Sequence, residues 1–238
     1  MWIDDQILRR HEHRIHSEIF IPEETMVVLG SGNEPQTEVN LEACSERNIQ
    51  VLRRYGGGGT VVLYPGCVVV SAGCWVKDPF KNNFYFKLLN DAVKDALAAK
   101  WTSMSGLSQA GISDIVMGEK KVAGTSMFRS RNYLLYQASI LVGLDRALVN
   151  SVLRHPTKEP DYRKGRSHAD FLTSLMEIEQ AIKSAALVKD ALENHLEENL
   201  LKHLADQLID PVMSQMPALQ ARLARAEEES QTTVSKSL

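Results

Sequence analysis

Two short stretches of the chain hold residues whose types and spacing could do chemistry. The first is Arg54 followed by a glycine run, "RYGGGG", and the second places Asp114 and Lys121 in "GISDIVMGEKKVAG". Glycine tolerates positive φ and lets backbone N–H groups approach a ligand's oxygens at Gly56, Gly57, Gly58 and Gly59. An arginine fork suits a phosphate or carboxylate, and a lysine sets a point charge against a phosphate or a polarised carbonyl. The two stretches predict a site for a phosphate or an acyl phosphate.

The glycine loop fits neither of the common phosphate-binding motifs. No Gly-Lys-Ser/Thr follows it, which excludes a Walker A loop. The next segment is valine-rich and predicts a strand, whereas a dinucleotide fingerprint leads into a helix. A plain glycine-rich turn therefore stays open as an alternative of equal weight. Taken singly, Lys121 and Asp114 could also be an ordinary turn lysine and an edge carboxylate.

Strands and glycine turns must position these residues. Valine-rich segments over 49–54 and 60–72 predict strands on either side of the glycine loop, at the centre of a sheet. Residues 26–29 predict a buried strand closed by "GSGN", and apolar spacing predicts helices over 38–48 and 84–99. A hairpin over 112–116 and 121–127 precedes a strand over 134–142. The absence of βαβ spacing predicts an α/β (α+β) fold with a mixed or antiparallel sheet flanked by helices.

The C-terminal third predicts a charged loop followed by helix. Residues 154–168 form the loop, and a helix is expected from Phe171 onward, with leucines at 192, 196, 200, 204 and 208 on one face, ending at Pro211 and Pro217. The polar end "EEESQTTVSKSL" predicts disorder. We expect one catalytic domain over 1–210, then a C-terminal helix and disordered tail over 211–238.

Composition narrows the class of protein. The chain has 238 residues, 44% of them hydrophobic, which is enough for a sizeable core. A net charge of -3 gives no general electrostatic grip on nucleic acid, and no uncharged apolar run has membrane-spanning length. Three cysteines without CxxC spacing argue against a disulfide framework and a zinc knuckle. We expect a cytoplasmic protein that binds neither nucleic acid nor membrane.

A histidine cluster near the N-terminus offers a metal-site alternative. His11, His13 and His16 include HxH spacing, which suits a metal. No cysteine or carboxylate cluster of suitable spacing joins them, so we expect an exposed amphipathic start instead.

The motifs, taken in order, resemble a known family. "RRYGGGGTVVLYPG", "GISDIVMGEKKVAGTS" and "YQASILVGLD" are similar to the ordered motifs of the lipoate-protein ligase family, within the biotin/lipoate A/B protein ligase superfamily. The resemblance covers roughly residues 25–175 and implies the biotin/lipoate-protein-ligase-like fold in a short form without the C-terminal accessory domain. It implies activation of lipoate or octanoate by ATP and Mg²⁺ as an acyl-adenylate, and transfer to a lysine of a lipoyl-carrier protein domain. A separate accessory subunit stays open as a partner.

The resemblance also implies roles for single residues. Arg54 matches the arginine beside the adenylate phosphate, and Gly57, Gly58 and Gly59 match the glycines that line the acyl and phosphate groups. Asp114 matches an aspartate near the nucleotide and its metal, and Lys121 matches the lysine that contacts the acyl carbonyl. The remaining candidates for the binding site are Gly56, Thr60, Gly124 and Gln137.

Four positions depart from the family pattern. Gly56 stands where serine is usual, Leu63 and Gln137 where histidine is usual, and Ser113 where asparagine is usual. These changes remove polar groups on the nucleotide side of the expected site.

Two other functions remain as alternatives. One is an ATP-independent lipoyl or octanoyl transferase, and the other is a non-catalytic protein of the same fold that binds a lipoyl group or its carrier. A thioester mechanism is disfavoured because Cys44, Cys67 and Cys74 all precede the Lys121 strand, and the last two lie in an apolar run. Valine-rich walls favour an apolar acyl tail over biotin: Val68, Val69, Val70, Val116 and Val122.

Overall fold

A computed structural model gives the fold and describes residues 10–215 together with residues 4, 7, 8, 217, 220, 221 and 224. The tail predicted to be disordered lies outside these residues. The strands are β1 (Ile15–Phe20), β2 (Met26–Leu29), β3 (Gln50–Arg53), β4 (Val61–Leu63), β5 (Cys67–Trp75), β6 (Leu107–Ala110), β7 (Asp114–Met117), β8 (Lys120–Ser130) and β9 (Tyr133–Leu141). The helices are α1 (Pro35–Glu38), α2 (Leu41–Glu46), α3 (Asn82–Lys100), α4 (Arg146–Val152), α5 (His168–Phe171), α6 (Leu175–Ile178) and α7 (Ala185–Leu204).

The strands form two sheets. The larger has the order β1-β5-β9-β8-β7-β6, and each neighbouring pair is antiparallel. The smaller has the order β3-β2-β4, with β2 parallel to β3 and antiparallel to β4. The predicted α/β class with mixed and antiparallel pairing is confirmed.

Helices cover one face of the larger sheet. Alternate residues of β5 and β9 point to that face because side chains alternate along a strand. They form one hydrophobic core with the buried faces of α3 and α7: Val68, Val70, Ala72 and Cys74 from β5, and Leu134, Tyr136, Ala138 and Ile140 from β9. The opposite face of β9 carries Gln137 and Ser139, and this face is open to the cleft described below.

The strands beside the glycine loop are arranged differently from the prediction. β3 and β4 do not pair with each other, because both pair with β2, which is the central strand of the small sheet. The predicted strand over 60–72 is two strands, β4 and β5, in different sheets. A turn separates them, in which Cys67 N donates to Tyr64 O at 2.8 Å, and the Tyr64 hydroxyl donates to Gly143 O at 2.7 Å.

Two other predictions of secondary structure were wrong, and two strands were missed. The C-terminal helix begins at Ala185, not at Phe171, because Ser184 caps it by accepting from Leu187 N; it ends at Leu204, before either proline. The predicted helix over 38–48 is split into α1 and α2 by Val39, which forms a bridge with Leu153. Strands β1 and β6 were not predicted.

The N-terminal segment is only partly the exposed start that was expected: Glu12, His13 and Arg14 are exposed, His16 is half-buried and His11 is buried. His11 is 7% exposed, its Nδ1 lies 2.7 Å from Leu8 O, and its carbonyl accepts from Trp75 Nε1. Among the described residues no group of three or more histidine, cysteine or acidic side chains could hold a metal ion. In the part of the chain that the structure describes, none of the helices has the length and apolar character that crossing a bilayer requires.

Candidate functional site

A cleft of about 1230 Å³ brings the predicted site residues together. Of the ten candidates, only Gly56 does not line it; the others are Lys121, Arg54, Gly57, Gly58, Gly59, Thr60, Asp114, Gly124 and Gln137. These residues lie in the turn before β4 and in β7, β8 and β9. Segments far apart in the sequence thus meet at one surface.

Arg54 holds the glycine loop rather than standing free in the cleft. It is 7% exposed, and its Nη2 donates to Gly57 O and Gly59 O, both at 2.7 Å. Burial lowers the pKa of its guanidinium to about 10, so the side chain is still a cation at neutral pH. Because two carbonyl groups are turned toward Arg54, the charge fixes the loop conformation.

The turn after β2 binds the glycine loop through hydrogen bonds. The sequence motifs did not assign this turn to the site. Asn33 Nδ2 donates to Gly58 O and Thr60 Oγ1, each at 3.1 Å, and Ser31 N donates to Gly56 O at 3.0 Å. Arg53 Nη1 binds three carbonyl groups of this turn, those of Gly30, Ser31 and Asn33, and so fixes its shape. The "GSGN" that follows β2 was a possible signal, but it indicated only a turn.

The glycines near the loop are required for different reasons. A Cβ on Gly30 would lie 2.1 Å from Gly58 O, so that position admits no side chain. Gly58 has φ of +94°, which disfavours any other residue. At Gly56 a Cβ would lie 3.0 Å from Ser126 Oγ, which leaves little room for the serine usual there. A Cβ on Gly57 or Gly59 would have nothing within 4 Å, so the fold leaves open space above both residues in the cleft.

Asp114 and Lys121 form an ion pair inside the cleft. Lys121 Nζ lies 2.7 Å from Asp114 Oδ1, and the two side chains are 22% and 15% exposed. The ammonium also lies over Gly124, where a Cβ would stand 3.1 Å from Nζ. Gly124 therefore makes room for the lysine side chain.

A β-bulge directs Lys121 into the cleft. Ile115 pairs with Ala123 and Val116 pairs with Lys121, so β8 has one extra residue, Val122, at this point. In a regular strand Lys121 and Gly124 would point to opposite faces, because their spacing is odd. The extra residue places both on the cleft side and buries Val122 and Ala123 in the core.

The turn over 111–113, just before Asp114, is held by hydrogen bonds from β8 and α3. Ser113 O accepts from Thr125 Oγ1 at 2.7 Å and from Asn90 Nδ2 at 3.0 Å. Asn90 is fully buried in α3 and accepts from the Tyr136 hydroxyl at 2.7 Å. Ser113, which stands where the family usually has asparagine, thus contributes its carbonyl group to a hydrogen-bond network. This network fixes the backbone immediately before Asp114.

The charged loop over 154–168 forms part of the cleft wall. Two of its arginines donate hydrogen bonds to carbonyl groups of the loop itself. Arg163 Nε donates to Arg166 O, and Arg166 Nη2 donates to Tyr162 O. Burial lowers the pKa of the His168 imidazole, whose Nε2 lies 3.0 Å from Arg154 O. Lys158 lies at the cleft and is exposed. Tyr162, which the sequence did not single out, donates its hydroxyl to Asp114 Oδ2 at 2.8 Å.

Gln137 lies at the cleft, but its amide binds the protein. Its Nε2 donates to Asp4 Oδ1 and, at 3.3 Å, to Ser71 Oγ. Asp4 is fully buried and raises the pKa of Arg54, opposing part of the effect of burial. Gln137 therefore helps to fix Asp4, the carboxylate that lies near Arg54 beneath the glycine loop.

The predicted metal role of Asp114 does not fit its contacts. One carboxylate oxygen binds the Lys121 ammonium and the other accepts from Tyr162. Mg²⁺ in proteins favours one or two available carboxylates together with substrate phosphates, and a directly paired ammonium opposes a second cation on the same group. The described residues supply no carboxylate cluster beside it.

The apolar part of the cleft is not the valine wall that was predicted. Only Val69 of that set lines the cleft; Val68, Val70 and Val122 lie in the core under the helices, and Val116 is 1% exposed. The apolar lining comes instead from both sheets and from α4 and the residue after it: Val28, Val61, Val62, Leu63, Val69, Ala138, Leu141, Val149 and Leu153. Leu63, at a position where histidine is usual, adds to it.

The cysteines lie away from any reactive position. Cys67 and Cys74 are fully buried, and burial raises the pKa of each thiol to about 12. Cys44 is 2% exposed, and burial raises its pKa as well. None of the three lines the cleft.

Curated proteins similar to this chain differ in activity. The chain is 28% identical over 186 residues to octanoyltransferase LipM of Kyrpidia tusciae (68% of this chain, 67% of the relative). It is 26% identical over 163 residues to lipoate-protein ligase A subunit 1 of Thermoplasma acidophilum (66% and 58%). It is 24% identical over 180 residues to inactive lipoate–protein ligase 2 of Plasmodium falciparum (63% and 47%). The aligned part thus spans about half to two thirds of these relatives' length.

Solved structures share the fold. A lipoate-protein ligase A bound with ATP superposes with a TM-score of 0.67 at 21% identity, covering 92% of this chain and 86% of the other. A bipartite lipoate protein ligase of Thermoplasma acidophilum, studied with its E2 lipoyl domain, gives 0.67 at 22% identity, covering 92% and 84%. The family model described as "Lipoyl protein ligase A/B catalytic domain" matches residues 1–197. With more than half of its length matched, the chain belongs to the lipoyl protein ligase A/B catalytic-domain family.

Proposed function

We propose that this protein is an ATP-dependent lipoate-protein ligase. It activates lipoate or octanoate as an acyl-adenylate and transfers the acyl group to a lysine of a lipoyl-carrier domain. The observation that carries the proposal is the position of the Lys121 ammonium, paired with Asp114 and lying over Gly124. The glycine loop lies beside the same strand, β8, since a Cβ on Gly58 would stand 3.6 Å from Thr125 O.

This geometry suits both steps of the reaction. In the first, the carboxylate attacks the α-phosphorus of ATP, and pyrophosphate leaves as the acyl–phosphate bond forms. In the second, the acceptor amine attacks the acyl carbonyl, loses a proton, and AMP leaves. Negative charge builds on phosphate oxygens in the first step and on the carbonyl oxygen in the second, so one fixed cation stabilises both. The open space above Gly57 and Gly59 lets a phosphate approach the backbone.

The cleft also has room for the acyl chain. Its apolar lining includes Val28, Leu63 and Val69, which form one buried cluster. An alkyl chain gains about 0.8 kcal/mol for each CH₂ group that it buries, so this lining favours octanoyl or lipoyl chains. Buried cysteines support direct adenylate chemistry over a thioester intermediate, because their pKa values are raised.

Relatives suggest the partners. The Thermoplasma relative is named as one subunit of a ligase, and a similar solved structure is described as bipartite, with an E2 lipoyl domain. By analogy we propose a lipoyl-carrier domain as the acceptor and a separate accessory subunit as a partner in adenylation. Any Mg²⁺ that accompanies ATP would take its ligands mainly from the phosphates, because Asp114 is already paired.

Intact-mass spectrometry of a lipoyl-carrier domain tests the proposal. Incubation with this protein, Mg²⁺, ATP and lipoate or octanoate should add one acyl mass to the carrier. Lys121→Ala should lower the rate by on the order of 100-fold or more, because it removes the fixed cation. Lys120→Ala is the matched control: this lysine is the adjacent residue, is exposed and does not line the cleft, so its loss should leave the rate unchanged.

Further arms separate the alternatives. Synthetic lipoyl-adenylate bypasses adenylation, so acylation from it alone indicates that adenylation needs the accessory subunit. Acylation of the carrier from an octanoylated protein without ATP would show a transferase instead of a ligase. A folded protein that acylates the carrier from none of these donors would overturn the proposal in favour of a binding protein.

A further inference from the structure

Lys121 is held from two directions by one connection of the chain. The segment after the charged loop reaches its backbone: Leu172 forms a parallel bridge with Lys121, and Thr173 N donates to Lys121 O at 2.9 Å. The same connection reaches its side chain through Tyr162, whose hydroxyl binds the carboxylate that pairs with the ammonium. The connection and the cation therefore form one structural unit.

The contacts of Asp114 divide between two partners. Oδ1 accepts from Lys121 Nζ at 2.7 Å, and Oδ2 accepts from the Tyr162 hydroxyl at 2.8 Å. With both oxygens bound, the carboxylate cannot rotate without breaking a charge-assisted hydrogen bond. Burial and the neighbouring Asp114 charge raise the pKa of the Tyr162 phenol, which keeps it a donor at any working pH.

The tyrosine ring is fixed independently of its hydroxyl. It packs against Phe171, with ring centroids 5.1 Å apart, and Arg163 and Arg166 lie over the same Phe171 ring at 4.8 Å and 5.3 Å. It also packs on Gly111, where φ is +57° and a Cβ would stand 3.3 Å from Tyr162 Cε1. Replacing the tyrosine with phenylalanine therefore removes one hydrogen bond and keeps the ring contacts.

We propose that Tyr162 is a positioning residue that fixes Asp114 and, through it, the Lys121 ammonium. The same hydroxyl thereby joins the 154–173 connection to the cation, because it donates to the carboxylate that pairs with the ammonium. In its catalytic part the inference rests on the proposed ligase function. Its structural part, the effect of Tyr162 on Lys121, does not.

Lysine labelling tests the structural part without any substrate. An amine-acetylating reagent, followed by peptide mass spectrometry, measures how fast Lys121 reacts. Tyr162→Phe should raise that rate by about fivefold. Without the tyrosine hydroxyl, the Asp114 carboxylate is free to rotate away from the Lys121 ammonium, which then reacts more readily. Asp114→Asn should raise it at least as much, and adding Tyr162→Phe to Asp114→Asn should change nothing further. Lys87 is the internal reference, because it is also paired with a carboxylate, Asp91 at 2.7 Å, but lies far out on α3 with its side chain 68% exposed.

Ligation kinetics test the catalytic part. Tyr162→Phe should lower kcat by on the order of tenfold and change KM by less than about twofold, because a misplaced cation weakens transition-state stabilisation more than substrate binding. Tyr64→Phe is the matched control, because it too removes one tyrosine hydroxyl, which donates to Gly143 O at 2.7 Å, accepts from Asp145 N at 3.2 Å and does not touch Asp114. Its kcat should match that of the wild type.

Each outcome decides the inference. Unchanged Lys121 labelling in Tyr162→Phe, with a clear increase in Asp114→Asn, would overturn it. Equal loss of kcat in Tyr162→Phe and Tyr64→Phe would also overturn it, since that would show general destabilisation. If the wild type does not ligate at all but Tyr162→Phe still raises Lys121 labelling, the proposed function fails and the positioning role stands.

Discussion

At the scale of single residues, the glycine run serves two different needs. Gly58 is required by the backbone, since its φ is +94°, and it lies beside the buried Arg54 guanidinium. Gly57 meets no such demand, because a Cβ there would have nothing within 4 Å. We propose that Gly57 is glycine because a ligand comes close to its backbone. The sequence predicted the run as a unit and could not separate these roles.

Alanine substitutions should separate them. Gly58→Ala should lower the free energy of unfolding by about 1–2 kcal/mol through backbone strain, as a urea titration would show. Gly57→Ala should stay within about 0.5 kcal/mol of the wild type and yet lose affinity for a non-hydrolysable acyl-adenylate analogue in calorimetry. Equal destabilisation by both variants would contradict this division.

His16 should make stability depend on pH. Its Nε2 lies 2.6 Å from Ile7 O, so that nitrogen carries the proton, while Nδ1 is buried and has no hydrogen-bond partner. Its pKa is lowered from 6.5 to about 4, chiefly by burial; the Ile7 carbonyl and Glu12 oppose the shift, while His13 and Arg10 add to it. Because the unfolded state binds a proton more readily, stability is fully present above pH 6.5 and falls as pH drops toward 4.

Urea titrations at two pH values measure this effect. Moving from pH 7.5 to pH 5 should cost the wild type about 1–2 kcal/mol through His16. His16→Gln, which retains a donor for the Ile7 carbonyl, should lose most of that dependence. An unchanged pH dependence in the variant would show that another group is responsible.

At the scale of elements, the periodicity of apolar residues predicted which helix faces lie in the core. It failed to predict where a helix begins or ends when hydrogen bonds set that position. The apolar spacing over 84–99 predicted α3 nearly as it is, since the helix spans Asn82–Lys100. The leucine stripe marked the buried face of α7 but not its start, which Ser184 sets as the cap. The bulge at Val122 has no sequence signal, because it follows from pairing between β7 and β8. The sequence therefore predicted that Lys121 belongs to the site, but it could not predict to which face of β8 the side chain points.

Leucines on α7 offer a test at this scale. Leu200 is 1% exposed in the main core and its neighbour Leu201 is 44% exposed. Leu200→Ala should lower the free energy of unfolding by about 2–5 kcal/mol, because it leaves a cavity, and Leu201→Ala by less than about 0.5 kcal/mol. Urea denaturation followed by circular dichroism measures both. Similar losses would show that α7 is rotated relative to the sheet.

At the scale of the whole molecule, the cleft depends on contacts between segments distant in sequence. Three ordered motifs predicted which segments meet, and the structure brings all three to one cleft. Hydrogen bonds between distant residues could not be predicted from the sequence. They are those of Asn33 to the glycine loop, Gln137 to Asp4 and Tyr162 to Asp114. Each joins residues more than 20 positions apart, and no local pattern encodes such a pair.

The 154–173 connection differs from the rest of the cleft in how it is attached. The glycine loop and the Lys121 strand belong to sheets, whereas this connection touches the larger sheet through one bridge, at Leu172, and a few hydrogen bonds. Substitution of Lys158, which is exposed at the cleft, can change the charge there at little cost to folding, whereas Phe171 and Arg163 are buried and their substitution destabilises the connection.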